Sequence, residues 1–103
     1  MRKLIWTEPA LSDLQAIFDY ISKDSEYYAS VFIGEIIESA EKLTDFPEIG
    51  RIVPEYQQND IREILVQSYR VIYQLEQNQI LILTVIHGRR DLTKLMELDE
   101  KQQ

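Results

Sequence analysis

Apolar side chains recur along this chain with two different periods, and the change between them divides it. Ala10, Leu11, Leu14, Ile17, Phe18 and Ile21 stand three and four apart, which predicts one helical stripe, with Ser12, Asp13, Gln15, Asp19 and Ser22 on its wet side. Thr7 is placed to cap that helix, Glu8 suits the positive end of its dipole, and Pro9 falls in a first turn that does not need its N–H. The helix should fade near Lys23-Asp24. A second cap, Ser25, precedes a second stripe of Ala29, Phe32, Ile33, Ile36, Ile37, Ala40 and Leu43, which Phe46-Pro47 ends. Gly34 lies inside this helix at a cost of roughly 1 kcal/mol against alanine, and close helix packing is one use for it. Gly50 reads as a turn that needs a permissive backbone.

Arg51 to Asp60 is polar and loop-like, and beyond it the period becomes two. Ile61–Val66, Tyr69–Leu75 and Gln79–His87 are rich in β-branched and aromatic residues, separated only by Gln67-Ser68 and by Glu76-Gln77-Asn78. Connections this short predict antiparallel neighbours in a meander. Ile80–Ile86 is almost continuously apolar, so that strand should be central or covered on both faces. Tyr69 and Tyr73 share one strand face as half-buried packing residues. Lys3–Trp6 adds a short first strand with Leu4 and Trp6 on one side. The order β-α-α-β-β-β predicts an α+β fold, with a helical hairpin on one face of a largely antiparallel sheet. One domain over residues 1–103 accommodates all of it, with 91–98 a short helix or added strand and a frayed tail after it.

Composition narrows the chemistry. The chain has 103 residues, is 45% apolar and has no cysteine, which removes disulfides, thiolate zinc sites and a cysteine nucleophile. Met1–Trp6 lacks the apolar run of a signal peptide or spanning helix, so a cytoplasmic protein with no membrane partner is the expectation. The net charge is −7, a poor basis for binding nucleic acid through its phosphates. It is unevenly spread. Residues 8–60 carry three cations against twelve anions, whereas residues 61–94 carry five cations against three anions. The carboxylates of the first half follow the wet faces of helices and show no metal-ligand grouping. No cofactor or metal motif is present.

Between Lys42 and Lys94 the only cations are Arg51, Arg62, Arg70, Arg89 and Arg90. Arginine stays protonated and forks onto phosphates or carboxylates, so the set suits fixed recognition rather than proton transfer. Taken singly, Arg62 or Arg70 is expected to pair with Glu63, Glu55 or a helix carboxylate. The Gly88-Arg89-Arg90 turn is expected to be exposed, its cations either binding a partner or simply solvated. His87, the only histidine, ends the buried strand beside these cations. It is either a general acid or base or a partly buried strand-end residue bonded to backbone.

Several segments together resemble the ParE/RelE toxin superfamily of the plasmid-stabilisation type. They are Trp6-Thr7 with Ala10, Asp13-Leu14, Ile17 and Tyr20-Ile21; Ser25, Ala29 and Phe32; Leu43–Arg51; Val53-Pro54-Glu55; Ile61-Arg62-Glu63; Tyr69–Tyr73; and Val85–Arg90. The likeness runs from about Leu4 to Asp91. It implies the toxin of a type II toxin–antitoxin pair, bound by a cognate antitoxin and touching operator DNA only through it. It further implies one of two targets. ParE-like toxins inhibit DNA gyrase. RelE-like toxins are endoribonucleases that cut mRNA on the ribosome with basic residues and a tyrosine, histidine or glutamate.

This chain lacks a lysine cluster on the sheet and has one histidine, so the gyrase branch, without enzymatic activity of its own, is the expectation. An endoribonuclease would have to use His87 with Arg62, Arg70 and Arg89. A degenerate, non-toxic antitoxin-binding or repressor module is the third alternative. Target or antitoxin binding is expected of Arg51, Arg62, Arg70, His87, Arg89 and Arg90, with the last strand and residues 91–98 as the antitoxin surface. Whether Arg62, Arg70, His87 and Arg89 converge on one face is the discriminating geometry.

Overall fold

The first strand, β1 (Lys3–Trp6), runs straight into helix α1 (Glu8–Ser22). Thr7 makes the junction: its hydroxyl accepts from the Ala10 N–H and donates to the Ile82 carbonyl at 2.7 Å, so one side chain caps the helix and ties it to the sheet. Ser25 likewise caps α2 (Glu26–Glu41), accepting from the Tyr28 N–H at 3.1 Å, and a turn of 3₁₀ helix over Lys42–Thr44 follows. The computed structural model describes residues 2–89, so Arg90 and the helix or strand expected over 91–98 lie outside the described residues.

The remaining strands are β2 (Arg51–Ile52), β3 (Ile61–Val66), β4 (Tyr69–Leu75) and β5 (Gln79–His87), and the sheet order is β1-β5-β4-β3-β2. β1 joins β5 in parallel, with Leu4 opposite Ile80 and Trp6 opposite Ile82; every other pairing is antiparallel. The helical hairpin therefore lies on one face of a largely antiparallel sheet, as the two periods predict. β2 is the addition. Two residues carry no detectable alternation, and only their pairing with Glu63 and Arg62 makes them a strand.

Two cores explain the continuous apolar run of β5. On the helix side Leu14, Ile17, Phe32, Ile36 and Leu43 pack on Val71, Tyr73, Ile80, Ile82 and Val85. By strand alternation the smaller cluster of Val53, Ile61, Ile72 and Ile86 occupies the opposite face, roofed by the 53–60 loop through Val53 and Tyr56. Each such fully buried aliphatic side chain contributes about 1.5–3 kcal/mol.

Three placements differ from the sequence pattern. Leu11 is exposed rather than in the helical stripe. Asp13, expected to face water, instead reaches β5, where it accepts from the Thr84 hydroxyl and from the Val85 N–H at 2.9 Å. The ladder is irregular there: Ile72 faces Thr84 and Tyr73 faces Ile82, which leaves Leu83 over and needs an outside acceptor for the interrupted backbone. Tyr73 is fully buried, not half-buried.

Candidate functional site

The register of β2, β3 and β4 assembles an ion-pair chain on the sheet face away from the helices. Arg51 stands directly opposite Glu63. The tight β3–β4 turn sets Arg70 opposite Leu65, one diagonal step from Glu63 on the same face. Arg51 Nε donates to Glu63 Oε2 at 2.7 Å, and Arg70 Nε donates to Glu63 Oε1 at 2.8 Å. The outer nitrogens of Arg70 fork onto both oxygens of Glu55, at 3.0 and 2.9 Å. Glu63 and Arg70 are buried, while the Arg51 side chain is 63% exposed.

Two cations thus alternate with two carboxylates, and the chain of four is neutral. The Arg70 guanidinium is held protonated more firmly than a free arginine, chiefly by its hydrogen bonds to Glu55 and against the cost of desolvation.

Arg62 does not join this group. Alternation turns it to the other side of β3, where Nε donates to the Asn59 carbonyl and Nη1 to the Gly50 carbonyl, both at 3.0 Å. It fastens loops. His87 sits opposite Tyr69 at the exposed end of β5, with the two rings edge-on at 5.5 Å. Its Nδ1 accepts from the Arg89 N–H at 3.3 Å. The turn after β5 is pinned by the Gly88 N–H donating to the Ser68 carbonyl at 2.6 Å.

Arg51, Arg70, His87 and Arg89, with Leu65 and Gln67, line one cleft of about 540 Å³. Convergence is therefore partial: three of the four discriminating residues meet, and Arg62 stands apart. Two of the cleft's cations are already engaged by carboxylates. Cleavage of RNA through its 2′-hydroxyl needs a base, a cation for the developing phosphorane charge and an acid for the leaving oxygen. Here His87 and Arg89 stand at the rim, whereas the rigidly positioned guanidinium, Arg70, is directed at protein carboxylates.

Gln67 was not singled out by sequence reasoning. Its φ is +54°, a conformation that favours glycine or asparagine. Its side chain is clasped by the Tyr28 hydroxyl, donating at 3.3 Å, and it donates in turn to Glu35 at 3.0 Å. The available signal was the Gln67-Ser68 connection itself, since a two-residue hairpin loop requires positive φ. Gln67 also borders a second hollow of about 280 Å³ on the helix side, with Tyr20, Tyr28, Phe32, Tyr69 and His87.

Residues 4–92 match the family model described as the ParE toxin of type II toxin–antitoxin system, parDE. Among characterised relatives, Toxin RelE2 of Caulobacter vibrioides is 31% identical over 91 residues, covering 87% of this chain and 99% of the relative. Toxin ParE3 of the same organism is 28% identical over 93 residues, covering 89% and 92%. Among solved structures, a chain of the chromosomal ParDE toxin–antitoxin system from P. aeruginosa superposes with a TM-score of 0.71 at 23% identity, covering 84% of this chain and 96% of that one. A chain of the toxin–antitoxin complex RelBE2 from Mycobacterium tuberculosis gives 0.60 at 19% identity, over 84% and 96%. The same hairpin-on-sheet fold is present in all of these structural neighbours.

Proposed function

The chain belongs to the ParE toxin family of type II toxin–antitoxin systems, within the ParE/RelE superfamily, and from that premise we propose that it arrests growth by inhibiting DNA gyrase. The observation that carries this reading is the neutral Arg51–Glu63–Arg70–Glu55 chain. A phosphoryl-transfer site needs its central cation aimed at substrate, and a guanidinium that forks onto two carboxylates is unsuited to that task. A protein target makes no such demand. The decisive experiment adds purified protein to gyrase and relaxed plasmid. Dose-dependent loss of supercoiling supports the reading, and full gyrase activity at saturating protein sinks it.

A cognate antitoxin is the second part of the proposal. It is supported by family membership and by the solved neighbours, a ParDE system and a RelBE2 toxin–antitoxin complex. Co-expression of the cognate antitoxin should restore growth. Toxicity without a partner would also eliminate the degenerate-module alternative.

One observation favours the ribonuclease alternative: His87 and Arg89 share a cleft with Arg51 and Arg70. On that reading a carboxylate would have to release Arg70 when RNA binds. Transcripts cut at ribosomes by the wild type, with cutting abolished by His87→Ala, would establish it in place of gyrase inhibition. Intact transcripts during growth arrest retire it.

A further inference from the structure

Phe46 and Ile49 are 62% and 65% exposed, yet they belong to a loop that is fixed from within. The buried Tyr73 hydroxyl donates to the Pro47 carbonyl at 2.9 Å and accepts from the Gly50 N–H at 3.0 Å. Arg62 Nη1 donates to the Gly50 carbonyl, also at 3.0 Å. Within the loop the Phe46 N–H donates to the Lys42 carbonyl at 3.0 Å and the Ile49 N–H to the Phe46 carbonyl at 3.2 Å. Gly50 serves this clamp by close approach. A Cβ there would stand 2.5 Å from the Tyr73 hydroxyl oxygen and 2.6 Å from the Glu63 carbonyl.

Side chains from β3 and β4 therefore hold a loop whose own apolar side chains stay in water. Such an arrangement adds little to the core. It does lower the ordering cost when the loop binds something, because the backbone is already set. Paired, rigid apolar anchors are also the usual centre of a protein interface.

The charge around the loop selects the occupant. Asp45 precedes Phe46 and Glu48 precedes Ile49; both are exposed, and neither forms a salt bridge among the described residues. Together with Phe46, Pro47 and Ile49 they border a hollow of about 450 Å³. Carboxylates at this position repel a phosphate backbone, and they attract an ammonium or guanidinium that also gains from the face of Phe46.

We propose that the loop over residues 45–49 is the docking surface for the toxin's protein target. The target meets it with an apolar pocket for Phe46 and Ile49 and seats a lysine or arginine between Asp45, Glu48 and the phenyl ring. This rests on the toxin reading above. It does not require that the target be gyrase.

The test uses the full chain, with two variants: Phe46→Ser with Ile49→Ser, and Asp45→Lys with Glu48→Lys. All four side chains are exposed, so circular dichroism and the thermal midpoint should match wild type. The first pair empties the anchors and the second reverses the charge without removing them, so each checks the other. Expected is an increase of about tenfold or more in the concentration that half-inhibits purified gyrase, together with loss of growth arrest on induction. Folded variants that inhibit and arrest like wild type overturn the proposal. So does a wild-type dimer, seen by light scattering and dissolved by Phe46→Ser with Ile49→Ser, because the loop would then serve a second copy of this chain. Should wild type arrest growth while leaving gyrase untouched, the gyrase reading falls and the arrest assay alone decides the docking surface. A wild type that does neither overturns both.

Discussion

Glu63 is the residue on which the candidate site turns. Its carboxylate, fully buried, accepts from Arg51 on one oxygen and from Arg70 on the other. Removing one partner from a buried ion pair leaves the other charge uncompensated, at a cost of about 3–5 kcal/mol. Glu63→Gln should therefore destabilise the fold by that order. Glu55→Gln, at a carboxylate 16% exposed, should cost about 1–3 kcal/mol. Urea midpoints of the two variants check the ranking, and a Glu63→Gln midpoint equal to or above that of Glu55→Gln would contradict it.

Tyr73 makes a second residue-scale prediction. Burial raises its pKa above the ordinary tyrosine value, against the lowering effect of its bond to the Gly50 N–H. A raised folded-state pKa means that the unfolded chain ionises first. The stabilising contribution is thus complete below about pH 10 and is lost as pH rises through that value and beyond. Tyr73→Phe gives up the bonds to Pro47 and Gly50 at neutral pH but should lose less stability between neutral and alkaline pH than wild type does. Urea melts across that range measure the difference in slope.

At the scale of elements, legibility tracked periodicity. The three long strands end where the sequence pattern ends, because alternation and short polar breaks are local signals. The closeness of Arg70 and Glu63 was legible too, once Gln67-Ser68 is taken as a tight turn, since the turn fixes the register. Glu55 was among the expected partners of Arg62 or Arg70, but which of the two it meets was not legible, because it arrives from a loop whose course depends on Val53 filling the second core. Asp13 failed for a related reason: a helix pattern reports its own face and says nothing of a bulge on the strand beneath. Gly34 shows the limit of reading glycines. A Cβ there would meet nothing within 4 Å, so close packing is not its use, and φ is not positive. Gly34→Ala should accordingly stabilise α2 by about 0.5–1 kcal/mol, seen as a thermal midpoint a few degrees higher. A lower midpoint would show that the helix does not tolerate a methyl group on that face.

Over the whole molecule, the charge that argues against nucleic acid becomes a matter of sides. Glu8, Asp19, Glu26, Glu38 and Glu41 are exposed on the two helices, which cover one face of the sheet. On the other face Arg51 and Arg70 are balanced by Glu55 and Glu63, and among the described residues Arg89 is the one further cation lining the cleft there. Among the described residues neither side offers the array of unpaired cations that counterion release requires. The toxin alone should therefore leave its operator fragment unshifted in a gel at physiological salt. The complex with antitoxin should shift it, the antitoxin supplying the phosphate contacts. Lowering the salt tests the cause: a cationic surface would begin to retain DNA, whereas a face whose arginines are largely paired with carboxylates should still release it. Retention by the free toxin that weakens steeply with added salt would contradict the charge map and return weight to an RNA-facing role for the His87 and Arg89 rim.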